Sequence, residues 1–263
     1  MIKGVLIDLS GTLHLGAEPI PGAAAAVERL ARSGLAVRFA TNTSRTTRSR
    51  LHIQLEEMGL ALPVEQILTA PRALQTYLRE KGLRPHLLVH PGLREEFADL
   101  PQNDPNAVVI GYAAEAFTYD SLNAAFRLLK EGAPLLATGK TRYFQGSAGL
   151  LLDAGPFVAA LEYASGTEAQ IFGKPAPAFF LRAVEELGCR PGETVMIGDD
   201  ARSDVAGAVE AGLLGILVRT GKYRAGDEAV VEACGGRVAA DIAAAVDLIV
   251  TDPEGGRAES QKS

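Results

Sequence analysis

Short aliphatic runs that stop at a polar turn alternate along this chain with stretches of helical length, and no other feature restricts its fold as much. "GVLIDL" reads as a buried strand and "PGAAAAVERLARSG" as a helix opened by Pro21 and closed by Gly34. "LAVRFAT" reads as a second strand and "TTRSRLHIQLEEMG" as a second helix, again ended by glycine. Further on, "ETVMIGDD" predicts a strand, "ARSDVAGAVEAG" a helix and "LGILVRTG" another strand. Strands separated by helical lengths pair in parallel through right-handed crossovers, so the expected fold is an open α/β sheet. The same rhythm continues through "PHLLVHPG", "NAVVIGY", "TYDSLNAAFRLLKEG" and "APLLATG". That middle stretch separates two segments that look like halves of one chemical site. An inserted domain is therefore expected: a core of residues 1–79 and 170–252, an inserted α/β domain of residues 80–169, and a polar, disordered tail of residues 253–263. The linkers are "EKGLRP" and "ASGTEAQ".

Composition narrows the function classes. With 263 residues, 47% of them hydrophobic, the chain can bury a real core, and wholesale disorder is excluded. A net charge of −6 argues against a nucleic-acid surface, so an anionic ligand must be drawn by a local positive site or a metal ion. Cys189 and Cys234 are far apart and read as reduced, structural thiols. The apolar run in "MIKGVLID" is too short for a signal peptide, and no stretch has the length to cross a bilayer. A soluble, cytoplasmic protein is expected.

Three strand ends carry the chemistry. "VLIDLSGT" finishes on Asp8, "VRFATNT" on Thr41 and Asn42, and "VMIGDD" on Asp199 and Asp200. Open parallel sheets bind ligands at the carboxyl ends of their strands. Carboxylates crowded there repel one another unless a cation sits between them. Asp8 and Asp199, completed by a backbone carbonyl, waters and a substrate oxygen, make the hard oxygen shell of a Mg²⁺ site. Asp204, and Asp200 with it, read as acceptors behind those ligands, with Asp204 orienting a metal-bound water. In "TNTSRTTRSR", hydroxyls, an amide and free backbone N–H groups at a helix start form an anion-binding loop. Lys174 in "FGKPAP" can neutralise charge on a transferred phosphoryl group.

Asp8 to Thr12 (DLSGT), Thr41 with Asn42, Lys174 (GKP) and GDD-x3-D from Asp199 to Asp204 resemble, in order, the four motifs of the haloacid dehalogenase superfamily of phosphohydrolases. The insert between the second and third motifs resembles the cap of its subfamily II. Ser10, "GLRPHLLVH", "TRYFQGSAGLLLDAGPFVAALEYA" and "MIGDD…RTGKYR" look like its phospholysine phosphohistidine inorganic pyrophosphate phosphatase branch and close hydrolase-domain relatives. The resemblance implies a Rossmann-like core, an aspartyl-phosphate formed on Asp8, and Mg²⁺ held by Asp8, the Ser10 carbonyl and Asp199. It implies phosphoryl oxygens bound by Thr41, Asn42 and Lys174, and a homodimer formed through the cap. Most phosphatases of the superfamily carry an Asp where this chain has Ser10. A serine hydroxyl is a poor acid near neutrality, and a positioned general acid is worth roughly 10²–10⁴-fold in rate. Activated phosphoryl groups on a small substrate, such as pyrophosphate or a phosphoramidate, are therefore expected over alkyl phosphates.

Plainer readings stand beside these. Asp8 alone could form a turn, and Asp199 or Asp204 could cap a helix. Lys174 could be an ordinary lysine before a proline turn. The arginines of "SRTTRSRL" read as a solvated helix face, and His14 as a satisfied loop histidine. Lys140, Arg142 and Tyr143 in "TGKTRYF" form either a substrate-selecting loop or a surface hairpin. The competing functions are a metal-independent dehalogenase, against which the acidic Asp199 and Asp204 argue, and a phosphate-binding pseudo-phosphatase.

Overall fold

The computed structural model describes residues 1–146 and 149–251. The wholly buried strand Gly4–Ile7 lies inside a six-stranded sheet. Across that sheet the order is Arg237–Ala239, Leu214–Val218, Thr194–Gly198, Gly4–Ile7, Ala36–Thr41 and Ile67–Thr69. Each pairing from Arg237–Ala239 across to Ala36–Thr41 is parallel. Gly4–Ile7 and Thr194–Gly198 are buried along their whole length, as strands covered on both faces must be, and this is why they read as unbroken apolar runs. The chain leaves Gly4–Ile7 toward Ala36–Thr41 and later returns on its other side as Thr194–Gly198. That reversal opens a crevice at the carboxyl ends of these strands. Helix Ala23–Arg32 buries Ala23, Ala26 and Leu30, one helical stripe, and packs on helix Ile242–Thr251.

The chain divides into two compact units. The first comprises Met1–Thr41, His52–Ile67 and the described residues from Pro177 onward; the second comprises Asn42–Leu51 and Leu68–Ala176. The second unit has its own parallel sheet, in the order Ala169–Ile171, Leu135–Ala137, Ala107–Ile110, Pro85–Leu88. Alternate residues feed two cores, because successive strand side chains point to opposite faces. Leu87, Val109 and Leu136 join Leu74, Leu78 and Phe97. Leu88, Val108, Ile110 and Leu135 join Ala125, Leu129 and Val158. Helix Tyr119–Lys130 opens on a reciprocal cap, with Ser121 N–H donating to Thr118 Oγ1 at 3.2 Å and Thr118 N–H to Ser121 Oγ at 3.0 Å.

These units part from the sequence boundaries at 79/80 and 169/170. Helix Ala70–Glu80, expected in the core, sends Leu74 and Leu78 into the second unit's interior, so the change of unit falls at Ile67/Leu68. Residues 42–51 also belong to the second unit, where Arg48 N–H donates to Glu96 Oε2 at 2.9 Å. The expected tail, 253–263, lies outside the described residues. Among the described residues no helix is long and apolar enough to cross a membrane.

Candidate active site

Asp8 and Asp199 each follow the last residue of neighbouring parallel strands, so both carboxylates emerge at the crevice. Asp8 N–H donates to Ile197 O at 2.9 Å, which locks the first turn onto the second strand. Asp204 joins them: one carboxylate oxygen from each of Asp8, Asp199 and Asp204 lies within 4.8 Å of the others, and all three residues are buried. The sequence reading placed Asp204 behind the ligands; the fold brings its carboxylate into the same cluster as Asp8 and Asp199.

The segment after the strand explains this placement. Ala201–Ala206, expected as ordinary helix, is a π-helical stretch running into a short α-turn, Gly207–Glu210. Asp204 N–H donates to Asp200 O at 2.9 Å and Val205 N–H to the same oxygen at 3.3 Å, a wide turn that swings Asp204 back over the strand end. Gly198 makes room, since a Cβ there would overlap the Asp204 carboxylate. Asp200 performs the capping considered for its neighbours: its Oδ1 accepts N–H bonds from Arg202 at 3.1 Å and Ser203 at 2.9 Å.

Thr220, Gly221 and Lys222, quoted from the sequence within "RTGKYR" but given no role there, complete this side. Thr220 Oγ1 donates to Gly11 O, Lys222 N–H donates to Asp199 Oδ2 at 2.7 Å, and Lys222 Nζ stands 3.5 Å from Asp200 Oδ2. Gly11 and Gly221 both have positive φ, 93° and 59°, and a Cβ on either would overlap Asp199 Oδ2. In the sequence Thr220, Gly221 and Lys222 stand in "RTGKYR", a glycine-lysine pair one turn beyond a strand end, which shows the resemblance but not the contacts. Ser10 is exposed at the same turn, and the His14 ring nitrogen Nδ1 is 2.9 Å from Gly16 O, a satisfied loop histidine.

The electrostatics match the crowding. Burial first, then the charges of Asp8 and Asp204, push the Asp199 carboxyl from 3.8 up to about 7, against the pull of the Lys222 N–H and ammonium. For Lys222 desolvation acts downward, yet the combined field of Asp200, Asp199, Asp204 and Asp8 leaves its ammonium raised. Three carboxylates at this spacing offer the all-oxygen donor set that a hard divalent cation takes, and the donor set fits Mg²⁺.

Thr41, buried, ends its strand in the first unit. In the second unit, Asn42 and Lys174 are bound to each other. Asn42 Nδ2 donates to Lys174 O at 2.8 Å, and Lys174 N–H donates to Asn42 Oδ1 at 2.8 Å. Both ends of the amide are engaged with the Lys174 backbone, so the Asn42 side chain positions the lysine. Lys174 itself is buried, and its bond to Pro175 is cis. Gly173 is required because a Cβ there would overlap Thr138 O and sit 2.6 Å from Asn42 Oδ1.

The cap candidates separate. Lys140 Nζ is 2.6 Å from Glu162 Oε2. The Glu162 carboxyl stays below the usual range because Lys140 and the Ala169 N–H together outweigh the upward push of burial. Lys140 therefore ties a turn to helix Ala154–Ser165. Arg142 and Tyr143 are exposed at the start of the antiparallel hairpin Tyr143–Gly146/Gly149–Leu152. Arg45, expected on a helix face, precedes helix Arg48–Glu57, and its guanidinium lies over the Phe144 ring.

Residues 5–101 match the family model described as haloacid dehalogenase-like hydrolase, and residues 171–245 the one described as HAD-hydrolase-like. Haloacid dehalogenase-like hydrolase domain-containing protein 2 of Bos taurus is 49% identical, over 86% of this chain and 88% of that protein. The phospholysine phosphohistidine inorganic pyrophosphate phosphatase of Bos taurus is 43% identical, over 95% of this chain and 94% of its own. Among solved structures, p-nitrophenyl phosphatase from Archaeoglobus fulgidus superposes with a TM-score of 0.86 at 26% identity, covering 94% of this chain and 98% of that one.

Proposed function

Because the chain belongs to the haloacid dehalogenase-like hydrolases, we propose that it is a Mg²⁺-dependent phosphatase of small, activated phosphoryl compounds, with Asp8 as nucleophile. The observation that carries this reading is the buried cluster of Asp8, Asp199 and Asp204, in which burial and then the neighbouring charges push the Asp199 carboxyl up to about 7. Such a cluster is stable in its charged form only around a cation. Asp8, Asp199 and the Ser10 carbonyl would hold Mg²⁺, with Asp204 beside them. When bound, Mg²⁺ supplies positive charge that lets an anionic phosphoryl group approach three carboxylates.

Asp8 attacks phosphorus, an Oδ–P bond forms, and the bond to the leaving group breaks with its electron pair going to the leaving atom. Water then attacks the same phosphorus, the bond to Asp8 breaks, and orthophosphate leaves. Thr41 and Lys174 take the phosphoryl oxygens, a role that rests on motif order, and Asn42 holds Lys174 through its backbone. Ser10 donates no proton at neutral pH, so leaving groups that are stable anions or carry their own proton are favoured: pyrophosphate and phosphoramidates. The name of the 43% identical relative supports that preference. The exposed leucines of the hairpin support self-association of the second unit.

The test is phosphate release from pyrophosphate, imidodiphosphate, p-nitrophenyl phosphate and glycerol 2-phosphate, in Mg²⁺ and in EDTA. Release should require Mg²⁺, run faster on pyrophosphate than on glycerol 2-phosphate, and fall on the order of 10⁴-fold or more in Asp8→Asn. Full activity in EDTA, or glycerol phosphate as the faster substrate, overturns the reading.

A further inference from the structure

Lys222 meets the acidic cluster with two different groups. Its backbone N–H donates to Asp199 Oδ2 at 2.7 Å, and its ammonium stands 3.5 Å from Asp200 Oδ2. The backbone is fixed by its neighbours. Thr220 Oγ1 donates to Gly11 O, Tyr223 N–H closes the turn on Thr220 O at 3.1 Å, and the Arg224 guanidinium donates to Lys222 O at 3.0 Å. Gly11 and Gly221 permit the close approach, since a Cβ on either would overlap Asp199 Oδ2. Asp8, Gly11, Asp199, Asp200, Asp204 and the turn Thr220–Arg224 all belong to the first unit.

The lysine side chain is held far less tightly than its backbone. It is 67% exposed, so it packs little, and what it brings to the crevice is charge. Asp200 is the link between that charge and the cluster. Its Oδ1 accepts the Arg202 and Ser203 N–H groups, and its own N–H donates to Asp204 Oδ2 at 3.1 Å. The ammonium thus sits on a carboxylate that lies outside the cluster of Asp8, Asp199 and Asp204 but is bonded to it. The charges of Asp200, Asp199, Asp204 and Asp8 all act on this one ammonium. Four carboxylates outnumber it, so a divalent cation is still attracted, but against a like charge tethered at the rim.

We propose that Lys222 sets the divalent-cation affinity of the cluster: its ammonium is a tethered counter-charge that offsets the acids when no metal is bound and opposes the metal when one is. The proposal deepens the Mg²⁺ reading of this site and rests on it. Calorimetric titration of Mg²⁺ into the substrate-free protein reads the effect without turnover. Lys222→Met keeps the backbone N–H on Asp199 and removes the ammonium. Its Kd for Mg²⁺ should fall about 3- to 10-fold below that of the wild type in about 0.1 M KCl. Lys222→Arg keeps the charge and should hold the wild-type Kd within about 2-fold. In about 1 M KCl, where the screening length shrinks from about 10 Å to about 3 Å, the Kd values of the wild type and Lys222→Met should converge. Equal or weaker Mg²⁺ binding by Lys222→Met at the lower salt overturns the proposal. So does a difference that persists undiminished at the higher salt, or an arginine variant that behaves as the methionine variant does, because either marks altered packing of the ligands and not a lost charge. Mg²⁺ that binds none of the three proteins overturns the Mg²⁺ reading and this proposal with it, whereas equal binding by the wild type and Lys222→Met removes this proposal alone.

Discussion

Ser10 is exposed at the turn that begins with Asp8, so its side chain can be exchanged without disturbing the buried carboxylates. A carboxyl group there could protonate a departing alkoxide, which the serine hydroxyl cannot do near pH 7. Ser10→Asp should raise kcat/KM for glycerol 2-phosphate on the order of 10²-fold and change that for pyrophosphate much less, because the departing phosphate needs no such proton. Equal gains on both substrates, or none, would show that proton donation is not what the serine withholds. At this scale the strand-end carboxylates Asp8 and Asp199, which the fold brings into one cluster, were readable, since a lone Asp at the end of an apolar strand is visible in one dimension. The partners of Asp199 were not. Lys222 lies 23 residues beyond Asp199, and Gly11 is remote in sequence from both Asp199 and Gly221; they meet only through strand adjacency. Asn42 was read as a phosphate ligand because its amide type allows it; its engagement with the Lys174 backbone depends on a pairing that no spacing shows. Arg45 was assigned to a helix face for the same reason: Tyr112 and Phe144 are remote in sequence.

At the scale of the element, two adjacent parallel strands and one π-helical stretch deliver three carboxylates to one point, and this has a cost in the metal-free protein. The Asp199 carboxyl titrates about 7 in the fold against 3.8 in a free chain, so its proton is retained in the folded state between those values and lost in the unfolded state. Stability then falls as pH rises from about 4 through about 7, and the full penalty is present above that. Because the charges of Asp8 and Asp204 add to burial in raising it, the effect belongs to the cluster and is on the order of 2–4 kcal/mol. In EDTA, the urea midpoint of the wild type should therefore decrease between pH 5 and pH 8. Asp199→Asn should lose most of that slope and be the more stable protein at pH 8, while losing catalysis. Mg²⁺ should raise the midpoint of the wild type at pH 8 and leave the variant nearly unmoved. Identical slopes in the two proteins would show that repulsion in the cluster does not govern this window. The strands Gly4–Ile7 and Thr194–Gly198 were legible because burial on both faces leaves a continuous apolar run. The π-helical stretch was not, because a widened turn leaves the pattern of apolar residues in "ARSDVAGAVEAG" almost unchanged.

At the scale of the whole molecule, the chain divides into two units whose edges differ from the sequence boundaries at 79/80 and 169/170. Both units use parallel strands and crossover helices, so hydropathy has no step at the change of unit, and the strand Ile67–Thr69 runs through it. The hairpin was read as either a substrate-selecting loop or a surface hairpin, and its apolar residues are strongly exposed. Leu150, Leu151 and Leu152 are 67%, 42% and 60% exposed, and Tyr143 is 53% exposed. Successive residues of a strand point to opposite sides, so Leu150 and Leu152 leave one face of the hairpin bare beside Tyr143, while Leu151 shares the other face with Phe144, which packs on Tyr112. A two-stranded ribbon has little stability of its own, and an apolar patch of this kind marks an interface. If the hairpin joins two copies of the chain, as proposed above, a two-fold axis beside it would bury the same leucines on both sides. Sedimentation velocity at tens of micromolar should therefore give a species near 55 kDa, twice the 27.6 kDa of one chain. Leu150 and Leu152 share a face, and Leu150→Glu with Leu152→Glu should return the protein to a monomer while it still hydrolyses p-nitrophenyl phosphate. A wild type that sediments as a monomer, or a double variant that remains dimeric, would mean that the hairpin is not what joins two chains.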